Sequence, residues 1–112
     1  MPQNPTRPLS RHSREAAALL GQLIRRGRRE RKITVALLAE RAGISRGLVQ
    51  RIERGDPGCG IGAAFEVAAI VGVRLFDAGP TTISADLAAN AAFVALLPQA
   101  VRAPKVPVRD DF

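Results

Sequence analysis

The stretch GISRGLVQRIERG, residues 43–55, places Arg46, Gln50, Arg51 and Arg54 close together, interleaved with apolar residues. A guanidinium is a planar fork of donors that matches two acceptors at once, such as guanine O6 and N7. A glutamine amide matches the donor and acceptor of adenine in the same way. If this stretch is helical, Val49 and Ile52 lie three apart and must face a core, which turns Arg46, Gly47, Gln50, Arg51 and Arg54 outward, on and beside one exposed face. Arg46, Gln50 and Arg51 are then the expected base-edge readers, and Gly47 would let the backbone approach closely. Leu48 is placed for a thymine methyl group if its orientation permits. Phosphate contacts position without specifying sequence. Ser45, the amides at the start of this helix and Arg54 suit that work, with Arg25 and Arg29 as helpers from further up the chain. The competing reading is that the same residues only keep a helix face solvated.

Other chemistry has little to stand on. His12 is alone in a polar N-terminal stretch, and no carboxylate pair is spaced for acid–base work. The single Cys59 excludes an internal disulfide and has no partner at metal-ligand spacing. It reads as a small turn residue in preference to a redox sensor. GDPGCGIG, residues 55–62, is rich in glycine, but no Gly-Lys-Ser/Thr follows it and no strand pattern precedes it, so it reads as a turn and not as a phosphate loop. No enzyme activity, cofactor or metal is expected.

The charge points the same way as the arginine helix. Net charge is +7, and residues 1–55 hold 13 Lys/Arg against 4 Glu, while residues 56–112 hold 4 against 6 acidic residues. A positive field concentrated on one part of a molecule is the footprint of a polyanion binder, and together with the base-reading pattern of residues 46–51 it makes double-stranded DNA the expected partner. There is no signal-peptide pattern and no run of ~18 apolar residues, so a membrane is not an expected partner and a cytoplasmic location is.

At 112 residues with 46% apolar content, no Trp, no Tyr and four Phe, the chain fits one aliphatic, alanine-rich core made of helices. Residues 1–12 read as a flexible basic arm. From Ser13, an N-cap candidate with Glu15 in the first turn, apolar residues recur at Ala16, Leu19, Leu20, Leu23, Ile24 and Gly27. Thr34 caps a second helix whose Leu37, Leu38 and Ala42 face inward and which ends at Gly43. Ser45 caps the third, closed by Gly55, so two short helices meet across a tight turn. A fourth begins at Ile61, with Ile61, Phe65, Ala68 and Val71 spaced for burial. Val73, Leu75 and Phe76 then pack beneath the bundle through a short fifth helix or a 3₁₀ turn. After a linker with β-branched character, Ser84 caps a last helix with Leu87, Ala91 and Val94 on one face and Phe93, Leu96 and Leu97 around it. A helix apolar nearly all round needs two partners. The remainder, 98–112, reads as extended or disordered.

RRERKITVALLAERAGISRGLVQRIERG resembles the helix-turn-helix of the Cro/C1 phage-repressor class, the Xre family. Its pattern falls on Thr34, Leu38, Ala39, Ala42, Gly43, Ile44, Ser45, Val49, Ile52, Glu53 and Gly55. The resemblance implies an all-α, five-helix lambda-repressor-like domain over 13–77, then a linker and dimerising helix over 78–97. The dimer contact would be made by Thr81 to Leu97, through paired helices or a short TTI strand. It implies a transcriptional repressor that binds a near-palindromic operator as a homodimer. It further implies that Glu53 pairs with Arg28, late in helix one, as a structural brace. One departure stands out: the glutamine that commonly follows the capping Thr is Val35 here, which removes an expected backbone contact. The segments SREAAALLGQLIRRGRRERK, GDPG and FEVAAIVGVRLFD are similar to HipB-like antitoxins, which implies a HipA-like kinase toxin as a partner. A stand-alone phage-like repressor and a protein-interaction module without operator binding are the alternatives.

Overall fold

The structure, a computed structural model, describes residues 8–76 and 80–103. Over these residues the chain is all-helical: α1 (Arg11–Glu30), α2 (Val35–Ala42), α3 (Arg46–Glu53), α4 (Ile61–Ile70) and α5 (Pro80–Ala95). It divides into two compact units, residues 1–75 and 76–112, and α1 to α4 make the first. The expected arm at 1–7, the linker residues 77–79 and the tail at 104–112 lie outside the described residues.

α1 starts earlier than Ser13. Its N-cap is Ser10, whose hydroxyl accepts from the Ser13 amide at 3.1 Å, so Ser13 lies inside the first turn and residues 11–12 are helical. The earlier serine takes the cap because the arginine-rich segment after it supports another turn. Arg14 donates to the Leu9 carbonyl at 2.7 Å, and Arg11 reaches Glu15 one turn on. The buried stripe is also rotated from the expected one. Gly21, Ile24 and Gly27 are buried, whereas Ala16, Leu19 and Leu23 are exposed.

The reason is backbone proximity. A Cβ on Gly21 would stand 2.5 Å from the Ile52 carbonyl oxygen and 2.7 Å from that of Glu53, and one on Gly27 would stand 2.6 Å from the Val71 carbonyl oxygen. α1 therefore meets the end of α3 at Gly21 and the end of α4 at Gly27, through its smallest residues, which brings the backbones close and leaves Leu19 and Leu23 on the flanks. Gly55 completes this approach: it has φ +82°, and a Cβ there would lie 2.6 Å from Ala18 Cα.

α2 and α3 are framed as their caps predict. Thr34 Oγ1 accepts from the Leu37 amide and Ser45 Oγ from the Leu48 amide, each at 3.0 Å, and Gly43 closes α2 in the left-handed region at φ +71°. The core is Ile24, Ile33, Leu38, Ala39, Val49, Ile52, Val67, Ala68 and Val71. α2 packs on both α3 and α4, and α1 packs on α3.

The α4 expectation needs correcting. Ala68 and Val71 are buried, but Ile61 is 70% exposed and Phe65 39%, and Val67 takes their place in the core. The buried side of α4 is centred on Val67 and Val71 with Ala63 and Ile70 packed beside them, so Ile61 and Phe65 fall to its flank. Ile61 and Phe65 instead border an open apolar cleft of about 200 Å³ with Leu20, Ile52 and Cys59. After α4 the chain turns at Val71 and Gly72 without a further helix among the described residues up to 76. Val73 and Leu75 pack against the core, while Phe76 is 75% exposed.

α5 likewise begins before its expected cap. Thr81, Thr82 and Ile83 are in its first turn, so the TTI segment is helical and not a strand, and Ser84 lies inside the helix. Pro80 holds the first helical position, where the missing amide hydrogen has no intrahelical acceptor to lose and a fixed φ favours nucleation.

Candidate nucleic-acid interface

α3 is divided by burial. Val49 is fully buried, Ile52 4% exposed and Glu53 5%, whereas Arg46, Gly47, Gln50, Arg51 and Arg54 are exposed. Leu48 is half-buried and packs against the core, which takes it off the outward face. Gly47 has no steric need to be glycine: a Cβ there would meet only Ser45 Oγ, at 3.9 Å. The exposed side of α3 thus carries a bare backbone position between Arg46 and Gln50.

Glu53 is the one buried charged residue among those described. Its carboxylate faces the Arg28 fork: Oε2 lies 2.6 Å from Arg28 Nε, and Oε1 accepts from Nη2 at 3.0 Å. Arg28 Nη1 also donates to the Ile33 carbonyl at 3.1 Å, so one guanidinium ties the end of α1 to the approach to α2 and the end of α3. Glu53 holds the Arg28 pKa above its ordinary value, mainly through the side-chain hydrogen bond, against the opposing effect of burial.

Arg25 also approaches Glu53, a contact that the sequence analysis did not assign to it. Its Nε lies 3.4 Å from Glu53 Oε1, with 41% of the side chain exposed. Its spacing of three from Arg28 was the available signal, since it puts both side chains on one helix face. Around this group lies an open cleft of about 360 Å³ lined by Arg25, Arg28, Arg29, Val35, Gln50, Glu53 and Arg54. Four arginines and one glutamate leave it cationic. Val35 packs against the core at this cleft and offers it an apolar wall.

Arg51 is engaged differently from Arg46. Its Nε donates to Asp56 Oδ2 at 2.9 Å, and Asp56 Oδ1 accepts from the Gly58 amide at 2.8 Å. The Gly58 amide first, and then Arg51, hold the Asp56 carboxyl below the usual aspartate range, and Asp56 in turn raises Arg51. Among the described residues, Arg29, Arg46 and Arg54 have no ion-pair partner. The structure therefore brings Gln50, Arg54, Arg25 and Arg29 to one cleft, sets Arg46 and Gly47 at the start of α3, and draws Arg51 toward the turn after it. Ser45 is exposed, with its hydroxyl committed to the cap. No cluster of three or more His, Cys, Asp or Glu is present among the described residues, and none of their helices is long and apolar enough to cross a membrane.

No curated protein and no solved structure gives a significant match to the chain. Residues 19–73 match the family model described as a helix-turn-helix domain, a kind of domain that points to DNA binding. In its sequence over 19–73, and in two short capped helices meeting across the Gly43 turn, the chain is thus similar to helix-turn-helix domains.

Proposed function

We propose that the protein is a sequence-specific DNA-binding transcriptional regulator, a repressor that holds a near-palindromic operator as a dimer. The observation that carries this reading is the split of α3, where Val49, Ile52 and Glu53 are held inside while Arg46, Gly47 and Gln50 are presented beside a cationic cleft. An α-helix fits the major groove, and these side chains have the donor geometry that reads base edges there. In this reading Arg46, Gln50 and Arg51 contact bases, and Gly47 admits close approach. Ser45, Arg54, Arg25 and Arg29 contact phosphate.

Titrating labelled duplex at rising salt tests the proposal. A protein making ~6 to 10 phosphate contacts loses roughly 10³ to 10⁵ in affinity between 50 and 200 mM salt. A protein-interaction module on the same fold would show no specific DNA complex at any salt.

The finer reading is that this regulator is the antitoxin of a HipA-like kinase toxin. Its support is the resemblance over helix one, the GDPG turn and α4, together with apolar surface for a protein partner at Leu19, Leu23, Ile61 and Phe65, each at least 38% exposed. Co-purification from the native host tests it: a kinase-like partner is expected, and its absence together with intact operator binding would favour a stand-alone repressor.

A further inference from the structure

Of the exposed arginines on and just after α3, Arg51 is the one that is held, and the group that holds it is itself fixed. Gly55, at φ +82°, seats the turn after α3 against Ala18 of α1. Asp56 follows. Its amide donates to the Arg51 carbonyl at 3.0 Å, its carbonyl accepts from the Cys59 amide at 3.4 Å, and its Oδ1 accepts from the Gly58 amide at 2.8 Å. Those contacts set the carboxyl in place and leave Oδ2, which accepts from Arg51 Nε at 2.9 Å. The pairing therefore takes one side of the guanidinium. Neither terminal nitrogen of Arg51 has a hydrogen-bond acceptor among the described residues, so the end of the fork is left to a group from outside.

We infer that Asp56 is a positioning residue that presents Arg51 end-on to a guanine, whose N7 and O6 accept from the two terminal nitrogens. This rests on the DNA-binding function proposed above and names one base that it reads. The donor pair left free is the one that matches guanine, and Arg51 can use it without leaving Asp56.

Charge favours a base over the backbone at this position. A carboxylate beside the guanidinium repels a phosphate that approaches the same group, whereas a base edge carries no net charge to repel. Arg46 and Arg54 have no ion-pair partner among the described residues and are under no such selection. Holding a long side chain in place before binding also removes part of the ordering cost from the complex. The pair does little for the fold itself, because both side chains are solvated, 46% exposed at Arg51 and 36% at Asp56. Its consequence lies in what Arg51 can bind.

Binding to the duplex that the full wild-type chain enriches from a random pool tests this, with all four bases placed in turn at the position whose preference Arg51→Ala removes. Guanine is expected there, preferred by roughly 5- to 150-fold over the other bases. Asp56→Asn keeps an Oδ1 acceptor for the Gly58 amide, so its melt should match the wild type. It should lower the preference for guanine by roughly 2- to 12-fold, the cost of ordering one long side chain, and bind an unrelated duplex as tightly as the wild type or more tightly. In an Arg51→Ala background the same substitution should leave base preference unchanged. A base other than guanine at that position overturns the inference. So does an Asp56→Asn chain that binds the guanine duplex more tightly with its preference intact, since Asp56 would then only compete with DNA for Arg51. Either result leaves the proposed function standing, whereas a wild-type chain that enriches no duplex overturns both.

Discussion

Arg28→Ala tests how α3 is held. The Glu53 side chain is 3% exposed and that of Arg28 12%, and breaking one partner of a buried pair typically costs ~3 to 5 kcal/mol. The two directions of breakage are not equivalent. Without Arg28, Glu53 keeps Arg25 at 3.4 Å, so the loss should sit near the lower end, about 3 kcal/mol, with part of it due to the unpaired Ile33 carbonyl. Without Glu53, two arginines face each other around an uncompensated Arg28, and Glu53→Ala should cost as much or more. Arg25→Ala removes a single long contact from a side chain 41% exposed, and should cost at most ~1 kcal/mol. For a domain of this size ~3 kcal/mol lowers Tm by about 12 °C or more. Thermal melts followed by circular dichroism give the order directly. The reasoning fails if Arg28→Ala leaves Tm unchanged, or if Arg25→Ala costs as much as Arg28→Ala.

Gly47→Ala should stabilise the free protein by ~0.5 to 1 kcal/mol, since alanine is the better helix former and its Cβ meets only Ser45 Oγ at 3.9 Å, yet it should weaken DNA binding. Equal or tighter binding would remove close backbone approach from the account. Arg46→Ala should relax preference at one base position, with a loss of ~1 to 3 kcal/mol on the preferred sequence, whereas Arg54→Ala should weaken all duplexes alike and lower the salt slope by about one. Binding measured on matched and mismatched duplexes separates the two. The Asp56 carboxyl should titrate below the ordinary ~3.9 by NMR. Because its pKa is lowered in the folded state, its contribution is fully present above that ordinary value and is lost as pH falls below it. An Asp56 pKa at or above the ordinary value would contradict the Arg51 and Gly58 contacts.

The helix-turn-helix was legible because caps and turn glycines act locally. Thr34, Ser45 and Gly43 take the roles their types predict, and the spacing of Val49 and Ile52 fixed which side of α3 is exposed. What was not legible depended on neighbours. Periodicity on α1 counted leucines as core, but the close approach of α3 to Gly21 placed the contact on small residues and left Leu19 55% exposed. Ile61 and Phe65 had the right spacing for burial but lie on the flank of the α4 side that Ala63, Val67 and Val71 turn to the core. Ser13 was the expected cap of α1, but the Ser10 hydroxyl accepts from the Ser13 amide and starts the helix one turn earlier. At the candidate site, sequence separates outward from inward residues but not free from paired ones. Arg46 and Arg51 looked alike as readers, and only the fold of the turn after α3 brings Asp56 against Arg51.

Selecting bound duplexes from a random pool tests the central claim most directly, because binding, symmetry and spacing are read together. The account predicts enrichment of a near-palindromic sequence whose half-sites lie about one helical turn apart, ~34 Å, with the preference at one position per half-site lost in Arg46→Ala. A pool that emerges without any enriched sequence, while the protein remains folded, would contradict it.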